Sequence, residues 1–298
     1  MLWLLYAFLA SLSFVVSNLA DKVILSRTAI RSPLSINTAG SLINGLVALL
    51  ILSVKRFTLP PQELLAALAV GALGFLAVAW YLGAIHREEA SRVVPLWAGT
   101  DIFVPLFALI FLHEPLTKSI VIAIALVVIG SVALQSDLKN GLITRKPVAL
   151  LLMLLASLTW ASGVVIAEAV LENVSVFVFW VWSAIGYMAA GIIPLILWFP
   201  RLLCDLRAKW VLPGILVSTG SESLGLIFKF LALALAPAAI VQIAGASQYV
   251  LVFLISILLT LFVPRLIKER IDRPTLITKI LALVLIITGI ALVTLNGK

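Results

Sequence analysis

Residues 84–114 read AIHREEASRVVPLWAGTDIFVPLFALIFLHE. A short charged connection opens the stretch, an apolar span runs from Ala90 to Leu112, and Glu114 closes it. The span carries Pro95, Pro105 and one acid, Asp101, near its middle. In a helix that crosses a bilayer, this acid lies close to the midplane. A carboxylate there costs about 3 kcal/mol on insertion scales and more by simulation. A water-filled cavity or a polar partner has to offset that cost.

The rest of the chain has the same character. Its 298 residues are 63% hydrophobic and 11% charged, with a mean hydropathy of +1.23. A soluble domain is about 25% charged. Apolar runs recur at 2–22, 35–54, 63–84, 90–112, 118–136, 147–168, 175–199, 210–233, 238–263 and 275–295, separated by short clusters of charge and proline. The expected fold is an all-α integral membrane protein of ten transmembrane helices, with neighbours antiparallel. The first span lacks a basic leading segment, so it reads as a helix and not as a cleavable signal. The net charge of +8 sits in loops beside the spans, which argues for membrane topology and against nucleic acid. Cys204 is the only cysteine, and His86 and His113 stand alone in connections. Neither a disulfide within the chain nor a metal or cofactor site is expected.

A repeat is visible. ASLSF at 10–14 is matched by ASLTW at 156–160, 146 residues later. Ala84-Ile85 with Ala90-Ser91 is matched by Ala232-Leu233 with Ala238-Ala239, 148 residues later, and Gly130 near the end of the fifth span by Gly289 near the end of the tenth. The chain therefore reads as two five-helix repeats, residues 1–141 and 147–298. Five is odd, so the second unit enters the membrane from the opposite face. Such inverted repeats build carriers that expose a central site alternately to either side. Five of the 21 Lys and Arg residues fall on the N-terminal side (Lys55, Arg56, Lys118, Lys229 and Lys298), and the other 16 fall on the opposite side. The positive-inside rule then puts both termini outside the cytoplasm of a cell-membrane protein.

Several residues carry a family resemblance: Trp160-Ala161-Ser162-Gly163; Ala90, Ser91, Pro95 and Pro105; Glu114 in HEPLT and Glu269 in KERID; and the closing helices ALVVIGSVAL and IITGIALV. In their order, twice over, the chain resembles the drug/metabolite transporter superfamily, in particular its EamA-type ten-helix permeases. The resemblance implies export or exchange of small metabolites. It also implies cytoplasmic termini, where the charge count argues the reverse.

The ionisable residues inside the spans are the candidates for function. Glu222 lies near the middle of the eighth span, and Lys229, seven residues on, shares its helical face about 10 Å away along the axis. Both are expected to face one cavity. Trp97 and Asp101 are one turn apart and would suit an organic cation by charge and cation–π attraction. Asn37 and Asn44 on the second span, Trp180 on the seventh, and Gln242 and Tyr249 on the ninth add polar and aromatic surface. Each could instead join an interhelical polar cluster. Asp21, Lys22, Glu168, Glu114 and Glu269 read as gate or interface charges. No catalytic or ATP-binding motif is present, so the expectation is a secondary carrier and not an enzyme. Its partners would be a small-molecule solute, zwitterionic as in an amino acid, the lipid bilayer, and coupled protons carried by Glu222 or Asp101. The chain would act as a monomer or homodimer. The alternatives are an exporter of organic cations or drugs, a non-transporting sensor or scaffold, and an intramembrane enzyme using Asp101 and Glu222.

Overall fold

The structure, a computed structural model, describes residues 1–27, 32–87, 93–135, 146–207, 210–262 and 273–296. Ala90, Ser91 and Glu269 lie outside them, as does the side chain of Lys22. Every regular element among the described residues is helical. The helices are α1 (Leu2–Arg27), α2 (Pro33–Val54), α3 (Pro61–Ile85), α4 (the composite span Val94–Leu112), α5 (Lys118–Gln135), α6 (Pro147–Leu171), α7 (Val176–Leu206), α8 (Val211–Leu233), α9 (two pieces, Ala238–Gly245 and Ser247–Phe262) and α10 (Arg273–Asn296). Nine of them are long and apolar enough to cross a membrane, and α5 is a somewhat shorter apolar helix. The chain is a multi-pass helical membrane protein.

Proline sets several boundaries. Pro33, Pro61 and Pro147 each begin a helix, where the missing N–H has no helical partner to lose. Inside α7, Trp198 leaves helical geometry (φ −126°, ψ 23°) between Pro194 and Pro200, and the helix kinks there. The span around Asp101 is the least regular. Val94–Gly99 is a 3₁₀ helix, Thr100–Phe107 is α-helical around Pro105, and Ala108–Leu112 is a π turn. Pro105 cannot donate to the carbonyl four residues back, which is that of Asp101 itself.

Packing is pairwise. Helix α1 lies along α8, α3 along α6 and α7, α2 along α7, and α5 along α10. Moving each helix five places on maps the α1–α8 pair onto α6–α3, and leaves α2–α7 and α5–α10 unchanged. Helix α4 changes from 3₁₀ to α at Gly99–Thr100, and α9 breaks at Gly245–Ala246, 146 residues later. Ser11 on α1 donates to the carbonyl of Gly245 at 3.3 Å. Its counterpart Ser157 on α6 packs against Gly99, where an added Cβ would lie 3.1 Å from Oγ.

Lipid is as apolar as leucine, so close backbone approach and polar contacts hold such helices together. Gly130 of α5 faces α10, and a Cβ there would lie 2.8 Å from the Ala282 carbonyl oxygen. Gly289 of α10 faces α5, and a Cβ there would lie 3.0 Å from the Ala123 carbonyl oxygen. The two glycines singled out by the repeat thus each closely approach the facing helix.

Candidate functional site

Helix α8 supplies the two charges at the centre. Seven residues make nearly two turns, so Glu222 and Lys229 come round to one face. Both line a cavity of about 60 Å³ among α2, α3, α6, α7 and α8. Asn44 and Trp180 line it as well, with Trp160 and Tyr187. Lys229 is held from two sides. Its Nζ donates to Gln242 Oε1 at 3.1 Å and sits 5.0 Å from the centre of the Trp160 ring. Glu222 has no hydrogen-bond partner among the described residues. The cavity therefore offers a carboxylate with its lone pairs unused, an ammonium with donors to spare, and indole and phenol walls.

Asp101, Gln242 and Tyr249 do not line this cavity. They form a buried cluster behind Lys229. Gln242 Nε2 donates to Asp101 Oδ1 at 2.7 Å, and Tyr249 OH donates to Asp101 Oδ2 at 3.3 Å. Asp101 is 1% exposed, so these partners replace the water that hydrocarbon denies it. Gln242 joins the cavity cation to the buried carboxylate, accepting from Lys229 through its oxygen and donating to Asp101 through its nitrogen.

Trp97 does not share a face with Asp101, because the 3₁₀ geometry of residues 94–99 breaks the one-turn register that an α-helix would give. Its ring packs between Tyr81 at 5.2 Å and Trp160 at 5.9 Å, behind the cavity wall.

Asn37 also sits outside the lining. It accepts a hydrogen bond from Tyr187 OH and donates to the Phe75 carbonyl at 3.4 Å. The Tyr187 ring meets Phe75 edge-on at 5.6 Å. Thr38 and Ala79, a short step along the same two helices, line a second cleft of about 510 Å³ with His86, Arg87 and Arg201. The Asn37–Tyr187–Phe75 layer thus lies at the boundary between the central cavity and this basic cleft.

The charges read as gates or interfaces sit where helices meet. Asp21 lies at the α1–α8 contact near the Ser17–Ser218 hydroxyl pair at 3.0 Å, and its Oδ1 is buried without a hydrogen-bond partner among the described residues. Glu114 and Glu168 both accept from the first amides of α9. Among the described residues no group of three or more His, Cys, Asp and Glu could hold a metal ion. Trp160 and Tyr187 line the cavity although neither was among the candidate site residues; for Trp160 the sequence offered a single signal. It appeared only within the Trp160–Gly163 motif.

Residues 1–135 match the family model described as the EamA-like transporter family. No curated protein matches the chain. A solved structure titled "Crystal structure of protein" covers 98% of this chain and 96% of its own, with a TM-score of 0.69 and 16% identity, a likeness of fold alone. Residues 1–135 are thus similar to the EamA-like transporter family, in a helical membrane fold that a solved structure shares over nearly its whole length.

Proposed function

We propose that this protein is a secondary carrier of small zwitterionic solutes such as amino acids, working by alternating access. Two inverted five-helix units, residues 1–141 and 147–298, rock about the cavity between them. The reciprocal helix pairs, the breaks in α4 and α9 at matching positions, and the close approach of Gly130 to α10 and of Gly289 to α5 support the two-unit reading. The Lys and Arg bias supports termini outside the cytoplasm, and the direction of net movement is export or exchange.

One observation carries the substrate reading: a cavity among membrane-spanning helices whose walls hold Glu222 without a partner and Lys229 within reach. The solute's ammonium would go to Glu222 and its carboxylate to Lys229, with Trp160, Trp180 and Tyr187 around its apolar part. The axial separation of about 10 Å is shortened by two long side chains that point into one space. Flux into proteoliposomes tests this. Glu222→Gln is expected to abolish net uptake of the zwitterion, and unchanged flux with unchanged pH dependence removes Glu222 from the mechanism.

Organic cations are the second reading. Lys229 is already engaged by Gln242 and Trp160, whereas Glu222 has no hydrogen-bond partner among the described residues, so the unsatisfied charge in the cavity is negative. Lys229→Gln separates the two. It should abolish zwitterion flux and leave cation flux intact.

A further inference from the structure

We infer that Glu114 and Glu168 bind one proton between them, at the junction where α4 and α6 end and α9 begins. Neither residue lines the central cavity, so this is a second ionisable site.

The junction is assembled from backbone geometry. His113 takes the left-handed conformation (φ 57°) that ends α4, and Glu114 follows it. Pro237 starts α9, whose first N–H groups have no partner in the helix. Ala238 N donates to Glu168 Oε1 at 2.9 Å and to Glu114 Oε1 at 3.2 Å, and Ala239 N donates to Glu114 Oε2 at 3.4 Å. One amide is therefore shared by two carboxyl groups, with an oxygen of each within 3.2 Å of the same nitrogen.

The donors run out before the acceptors do. Glu168 is 7% exposed, and its Oε2 is buried with no donor in reach. The N-terminus of α9 supplies about half a positive charge, short of what two carboxylates require. Glu172, one turn beyond Glu168, adds a third negative charge nearby. His113 beside Glu114 and Lys118 at the start of α5 are exposed, and among the described residues neither acid forms an ion pair. Two carboxylates this close cannot both ionise. A proton held between them completes the bonding, since it gives the orphaned oxygen a partner and leaves one negative charge facing one helix N-terminus. Loss of that proton sets two charges against each other and loosens α9 from α4 and α6.

On the carrier reading this proton would be tied to the movement of α9, but the site exists independently of that reading. Its test uses the purified full chain with no solute and no gradient, so a failed flux assay does not bear on it. Infrared difference spectra recorded while the pH is raised from neutral to alkaline are compared for wild type, Glu114→Gln and Glu168→Gln. Wild type is expected to show a protonated-carboxyl band at neutral pH that disappears in both variants, because the amide introduced supplies the missing donor and the remaining acid ionises. The melting temperature of wild type should fall over the same pH range, since the folded state holds a proton that the unfolded chain releases. Both variants should lose that dependence. A band that survives in either variant assigns the proton to a single residue and overturns the inference. So does a wild type that lacks the band or melts at one temperature throughout.

Discussion

Gln242 is the joint between the cavity cation and the buried acid, and replacing it by leucine isolates both. Gln242→Leu keeps the volume roughly constant and deletes the donor to Asp101 Oδ1 at 2.7 Å and the acceptor from Lys229 at 3.1 Å. A neutral hydrogen bond between membrane helices is worth about 0.6 kcal/mol. This case differs because the stranded group is a carboxylate only 1% exposed, which cannot turn to water. Leaving a buried acceptor without its donor costs about 1–3 kcal/mol, and more when the acceptor is charged. Tyr249 still donates to the other oxygen at 3.3 Å, so about 3 kcal/mol is the expected cost. That is a large part of a total stability of about 5–15 kcal/mol. Unfolding by SDS in mixed micelles measures it, applied to wild type, Gln242→Leu, Asp101→Leu and the double variant. In the Asp101→Leu background the Gln242 change should cost less than half as much, a coupling above about 1.5 kcal/mol for groups in direct contact. A cost under about 0.6 kcal/mol for Gln242→Leu alone, or strict additivity in the cycle, refutes the argument that Asp101 depends on this amide.

Other changes probe the walls. Gly186→Ala would put a Cβ 2.0 Å from the Leu68 carbonyl oxygen, so α3 and α7 must separate; a loss of about 1–3 kcal/mol is expected in the same unfolding assay, and an unchanged stability contradicts the close approach. Gly220→Ala is the control, since a Cβ there meets nothing within 4 Å, and it should match or exceed wild type by up to about 1 kcal/mol. Tyr187→Phe removes the hydroxyl that bonds Asn37, and should cost about 0.6 kcal/mol while raising solvent access to the cavity from the Arg87–Arg201 cleft; protection unchanged in hydrogen exchange of α2 and α7 would remove that layer as a barrier.

The parts of the site that lie within one helix were legible in the sequence. Glu222 and Lys229 are seven residues apart on an uninterrupted α-helix, and that spacing alone places them on one face. Trp97 and Asp101 needed the same regularity, but their span changes from 3₁₀ to α between them, so the four-residue rule did not apply. Contacts between helices were out of reach. Nothing in the local sequence joins Asp101 to Gln242, 141 residues away, although each was recognisable as a polar residue that hydrocarbon would not tolerate alone. Glu114 and Glu168 read as separate interface charges for the same reason. The signal that could have linked them is Pro237, which fixes where α9 begins and therefore where two unpaired amides point. Gly130 and Gly289 were legible from their positions along the chain, and each closely approaches the facing helix.

The account rests on Glu222 facing water in the middle of the membrane and not lipid or dry packing. Glu222→Cys, made in a Cys204→Ser background so that no other thiol is present, tests this in proteoliposomes. A small, charged, membrane-impermeant thiol reagent should label it, and a saturating transported zwitterion should slow the labelling. Labelling by a lipid-soluble maleimide alone, with none by the charged reagent from either side, would contradict the account.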